Sequence, residues 1–126
     1  MNNTSRICQS LVLLLSMLTV TTASAAEFTS DVIVAHKALN SLGFYSARGK
    51  NILTIDVGPN PHEMAVTADR RRVFITNNGV MRWMEDADGG NTVSIIDLVQ
   101  RKKIGEISTG QFRRPHGIAL DALSGD

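Results

Sequence analysis

Three side chains in this sequence have the chemistry and the spacing to act together. His62 and His116 each follow a proline, in Pro61-His62 and Pro115-His116, 54 positions apart. Imidazoles titrate near neutral pH, so such a pair could bind a metal or serve as acid and base. Glu63, beside His62, is the one carboxylate well placed to join them. His62, Glu63 and His116 are therefore the catalytic candidates. Two histidines without a third ligand do not make a metal site, so no metal is assigned to them and no cofactor is identified. The plainer role for each Pro-His pair is to set a loop and hydrogen-bond its neighbour.

The elements that must position these residues recur along the chain. Ile55-Asp56-Val57-Gly58 followed by Pro61-His62-Glu63-Met64-Ala65-Val66 returns as Ile107-Ser108-Thr109-Gly110 followed by Pro115-His116-Gly117-Ile118-Ala119-Leu120. Val32-Ile33-Val34-Ala35 matches Val73-Phe74-Ile75-Thr76, and Asn40-Ser41-Leu42-Gly43-Phe44-Tyr45 matches Asn91-Thr92-Val93-Ser94-Ile95-Ile96. The first of these pairs is offset by 41 positions and the second by 51, so about ten residues are inserted between Asn78 and Asn91. Each block is short, rich in β-branched residues and bounded by Gly, Pro, Asn or Asp, which predicts strands joined by tight turns. Strands are expected at Met64 to Thr67, Val73 to Thr76, Thr92 to Ile96 and Lys103 to Ile107. Four strands in about 45 residues is the period of a β-propeller blade. The fold class is thus all-β, a propeller of four-stranded blades, with one complete blade (His62 to Ser108) and parts of two others. By the same alignment His36 takes the place of Asn77 and is expected to be a turn residue.

Val73-Phe74-Ile75-Thr76-Asn77 resembles the Tyr-Val-Thr-Asn strand of the YVTN-repeat propellers. Asn91-Thr92-Val93-Ser94-Ile95-Ile96-Asp97 and Gly110 to Ala119 resemble the strand and connection that accompany it. The first copy departs from that pattern by carrying Glu63 where the family usually has glycine. The resemblance runs from about Val32 onward. It implies a propeller whose Pro-His positions face the mouth of a central channel, among lactonase-like enzymes, redox-enzyme subunits and surface-layer-like proteins. At least four blades of about 40 residues are needed to close such a ring. Residues 26–126 are accordingly expected to be the N-terminal portion of a longer propeller.

The insertion, Gly79 to Gly90, holds the sole tryptophan of the chain and two methionines. Loops on a rigid scaffold commonly display function, so Met81, Trp83 and Met84 are candidates for contact with a ligand or partner. The alternative is that they cover an adjacent blade. Asp86-x-Asp88-Gly matches only a fragment of a calcium loop. The basic clusters Arg70-Arg71-Arg72, Arg101-Lys102-Lys103 and Arg113-Arg114 read as solvated charges on turns or loops.

Residues 1–25 read as a signal peptide. Arg6 precedes the apolar run Leu11 to Val20, and Ala23-Ser24-Ala25 supplies the small residues of a cleavage site, so a periplasmic or secreted location is expected. Cys8, the one cysteine, falls within this leader. The mature chain therefore has no disulfide, no thiolate metal site and no covalent haem attachment within residues 27–126. With Arg6 removed it carries 12 basic and 12 acidic residues. A neutral chain lacks the basic field of a nucleic-acid binder, and no membrane contact is expected after cleavage. Its partners are expected to be small molecules or a protein ligand at the propeller face. No Gly-x-Ser-x-Gly elbow, phosphate loop or His-Glu-x-x-His helix is present. The function that asks least of these residues is an exported binding or scaffold module. A lactonase-like hydrolase at the channel mouth and a subunit of a periplasmic redox enzyme are the alternatives.

Overall fold

Seven strands and one short 3-10 turn make up the described part of the chain, Val32 to Asp121, in a computed structural model. The leader expected over residues 1–25 lies outside the described residues. β1 (Val32–His36), β2 (Ser41–Tyr45) and β3 (Asn51–Asp56) form one antiparallel sheet in the order β1-β2-β3. β4 (Pro61–Val66), β5 (Arg72–Asn77), β6 (Thr92–Asp97) and β7 (Lys102–Ser108) form a second, also antiparallel and also in chain order. The all-β class and the strand positions read from the sequence hold to within a few residues. Residues 32–42 contain β1, the 3-10 turn Lys37–Leu39 and the start of β2. Asn40, in the left-handed region at φ 53°, ends that turn and starts β2.

The two sheets face each other across an apolar core. Leu42 and Phe44 from β2 meet Val73 and Ile75 from β5 and Ile96 from β6, all fully buried, with Ile33, Ile55, Val57, Met64 and Leu98 packed around them. The hairpin turns use short side chains to satisfy their own backbone. Asp69 Oδ1 accepts from Arg71 N at 2.9 Å and from the Thr67 hydroxyl, and Asp97 Oδ1 accepts from Val99 N and Gln100 N. These bonds hold both carboxyls below their ordinary pKa, Asp69 chiefly through Thr67 and Asp97 chiefly through Gln100 N.

A buried polar row tests the repeat alignment at the level of atoms. Asn77 pairs with Thr92 in the register and donates from Nδ2 to the hydroxyls of Thr92 (2.8 Å) and Ser94 (3.0 Å). His36 pairs with Ser41 in the same way, bonding the Ser41 hydroxyl at 3.0 Å and the Tyr45 hydroxyl at 2.8 Å. His36 is thus the last residue of β1, not a turn residue. Its larger ring lies over Gly43, where a Cβ would come within 2.5 Å of Cε1. The position matching Gly43 carries Ser94, because asparagine is shorter and needs a hydroxyl to reach. Histidine with glycine and asparagine with serine are two solutions to one packing problem.

Candidate functional site

His62 and Glu63 stand at the start of β4, not in a connecting loop, and the strand is irregular there. Pro61 pairs with Asn77 and Met64 pairs with Ile75, so three steps on β4 span two on β5. That extra residue is a β-bulge, a device that re-aims side chains. In a regular strand His62 and Glu63 would point to opposite faces. With the bulge, both reach the same third residue.

His116 comes from the irregular segment after β7, and one buried hydroxyl holds that segment against β4. Thr76, 1% exposed on β5, accepts from Glu63 N at 3.0 Å and donates to His116 O at 2.9 Å. Asn78 Nδ2 adds longer bonds to the carbonyls of Arg114 (3.3 Å) and Pro115 (3.4 Å). The result is a compact group. Glu63 Oε1 lies 3.1 Å from His116 Nδ1 and 3.9 Å from His62 Nδ1, and the two imidazole centroids are 3.7 Å apart at 42°. His62 Nδ1 is buried without a hydrogen-bond partner. Desolvation lowers the pKa of His62 below its ordinary value; Lys37 and His116 push the same way and Glu63 opposes them. His62 is thereby biased toward the neutral imidazole, the form able to act as base or ligand.

The insertion forms the opposite wall. Its ends are pinched together by Gly90 N, which donates to Asn78 O at 2.8 Å, while Gly79 N ties the first end to the β3–β4 connection by donating to Pro59 O at 3.0 Å. Gly79, at φ 78°, packs so tightly on Gly90 that a Cβ there would overlap its backbone nitrogen. Arg114 then ties the body of the loop down. Its guanidinium donates to the carbonyl oxygens of Trp83 (3.1 Å), Glu85 (2.7 Å) and Ala87, while its own backbone N donates to Gly90 O. Arg114 is therefore not a solvated turn charge. Carbonyl-binding by a single arginine leaves no periodic trace in the sequence, which is why the alignment missed it.

Within the loop the apolar residues divide. Val80 is 2% exposed and belongs to the interior, whereas Met81 is half exposed and Trp83 and Met84 are 83% and 71% exposed. Trp83 and Met84 cover neither of the two described sheets. Instead Met81, Trp83 and Met84, with Val80 and Arg82, line a half-open pocket of about 550 Å³ whose other wall is His62, His116, Asn78, Lys37 and Arg114. His62 and His116 thus border the same cavity as Met81, Trp83 and Met84, although the two groups were read separately from the sequence, and Glu63 contacts the histidines without lining it. Asp86 and Asp88 gather no further carboxylate or imidazole, and the group of three that could hold an ion among the described residues is His62, Glu63 and His116.

The fold and pocket define an all-β protein of two antiparallel sheets with a polar cluster and an apolar loop around one cavity. No family model matches the chain, and no curated protein matches it. Among solved structures it is similar to Kuenenia stuttgartiensis hydrazine synthase, with a TM-score of 0.56 and 25% identity over 71% of this chain. The match spans 22% of the length of that chain.

Proposed function

We propose that this chain is the N-terminal portion of an exported YVTN-type β-propeller and that it serves as a binding module, with its ligand seated between the insertion loop and the two Pro-His segments. The in-order four-stranded sheet and the matching polar pairs of the two sheets, His36 with Ser41 and Asn77 with Thr92, support the propeller reading. The observation that carries the binding reading is the pocket itself. Met81, Trp83 and Met84 offer an apolar wall, while Lys37 and Arg82 add positive charge. Pockets that combine an apolar lining with a few convergent polar groups are the usual form of small-molecule sites. That lining fits an organic anion with an aromatic or aliphatic body.

Trp83 is the sole tryptophan, so its emission reports on the pocket alone. Titration with the aromatic sulfonate 8-anilinonaphthalene-1-sulfonate should quench Trp83 by energy transfer and saturate at one dye per chain. Replacing residues 79–90 by a short turn should abolish this dye binding. Equal dye binding by the shortened protein would overturn the reading.

Export is the second part of the proposal. No helix among the described residues is long and apolar enough to cross a membrane. Expressed with its native start in a Gram-negative host, the protein should be recovered from the periplasm beginning at Ala26 or Glu27. Recovery of intact Met1 in the membrane fraction would refute cleavage.

The likeness to hydrazine synthase favours one alternative over the rest. Making hydrazine joins two nitrogens, which is redox chemistry, so this chain would be a subunit of a redox enzyme with its cofactor held elsewhere. Co-purification with a haem- or flavin-bearing partner from the native source would distinguish that role from a free-standing binding module.

A further inference from the structure

His62, Glu63 and His116 place two imidazoles and one carboxylate in one group, their donor atoms all within 4.8 Å of one another. Two nitrogens and one oxygen are the protein donors of open zinc sites and of related first-row metal sites. Donors about 2.1 Å from a tetrahedral ion lie roughly 3.4 Å apart. The His116 to Glu63 separation of 3.1 Å already suits this, and the His62 to Glu63 separation of 3.9 Å is slightly wide. Side-chain rotation can tighten the set, and two of the three have room for it: His116 and Glu63 side chains are 62% and 46% exposed. Their backbones are already fixed to each other through Thr76.

A second observation points the same way. His62 Nδ1 is buried with no hydrogen-bond partner, and buried polar atoms are rarely left so. The contrast with the remaining histidine is direct. His36 has both ring nitrogens bonded, to Ser41 and Tyr45, and has no capacity left for an ion.

We propose that His62, Glu63 and His116 are the protein ligands of one divalent ion of the zinc class, bound with open coordination positions that face the pocket. Histidine supplies neutral nitrogen donors and Glu63 one negative charge, so the ion keeps net positive charge beside the pocket wall formed by His62 and His116. The open positions would take water or an anionic group of a bound molecule. Lys37 on the pocket wall disfavours a bare cation and so strengthens the preference for an anion on the ion. The site stands whether or not the pocket also binds an organic ligand.

The test uses the full chain with Cys8→Ser, so that no thiol competes, and Zn2+ as the only probe. Calorimetry should give one ion per chain. Co2+ in its place should produce a visible absorption band of low coordination number. Loss of an outer partner of a metal ligand costs roughly 10–100-fold in affinity, so loss of a ligand should cost about a hundredfold or more. Glu63→Gln and His116→Ala should each show that loss and abolish the Co2+ band, with unchanged circular dichroism. Glu106→Gln, remote on β7, should bind as the parent does. Absence of saturable Zn2+ binding by the parent, or undiminished binding by the Glu63→Gln/His116→Ala double variant, would overturn the site.

Discussion

Replacing Phe44 by alanine is expected to lower the melting temperature by about 15 °C or more. Phe44 is fully buried and lies in the cluster where β2 of the first sheet meets β5 and β6 of the second. Truncating a buried phenylalanine costs about 3–5 kcal/mol through lost transfer energy and the cavity left behind. For a domain of this size each kcal/mol shifts the midpoint by roughly 4–8 °C. Arg101, whose guanidinium lies 5.8 Å from the Phe44 ring centroid, loses its aromatic neighbour as well. Phe112 provides the comparison, because it is 73% exposed. Phe112→Ala should stay within about 0.5 kcal/mol of the parent, as surface changes usually do. Thermal melts followed by circular dichroism decide the matter. Equal effects of the two substitutions would mean that the core between the sheets is not where the structure puts it.

The strands were legible because their signal is local. Val73 to Thr76 and Thr92 to Ile96 announce themselves by β-branched content and by turn residues on either side, and the repeat offset fixes their order. The insertion was legible as a break in that offset. Its apolar residues were not separable by type, since only the fold distinguishes Val80 inside from Trp83 outside. The Pro-His pairs were read as loop residues because proline marks the start of an element as readily as its end. A bulge at His62 and Glu63 has no composition of its own, so their convergence on His116 depended on coordinates. The pairing of His36 with Gly43, against Asn77 with Ser94, was present in the aligned copies. It becomes interpretable only when the ring is seen to need the missing Cβ.

Arg114→Ala is expected to release the insertion loop while leaving the sheets and the histidine group in place. The arginine makes three side-chain bonds to loop carbonyls, at Trp83, Glu85 and Ala87, from a fork that no other residue type reproduces. Hydrogen bonds to charged groups contribute about 1.5–3 kcal/mol when well shielded. Solvent reaches this arginine, so a combined loss of about 2 kcal/mol is the appropriate scale. That loss favours local opening by roughly thirtyfold, and amide hydrogen exchange across residues 80–88 should quicken by the same factor. Arg114→Lys should rescue little, because an ammonium can satisfy only part of the set. The melting temperature should fall by far less than for Phe44→Ala, since Val80 is the one large side chain that the loop adds to the interior. Dye binding in the pocket should weaken with the loop, because Met81, Trp83 and Met84 lose their fixed wall. Zn2+ affinity should persist, because His116 is held through its carbonyl by Thr76 rather than through Arg114. Unchanged exchange in the loop would show that the pinch at Gly79 and Gly90 holds it alone. Loss of both dye and metal binding would show that Arg114 organises the whole segment from Arg114 to His116, and that the two walls of the pocket form as one unit.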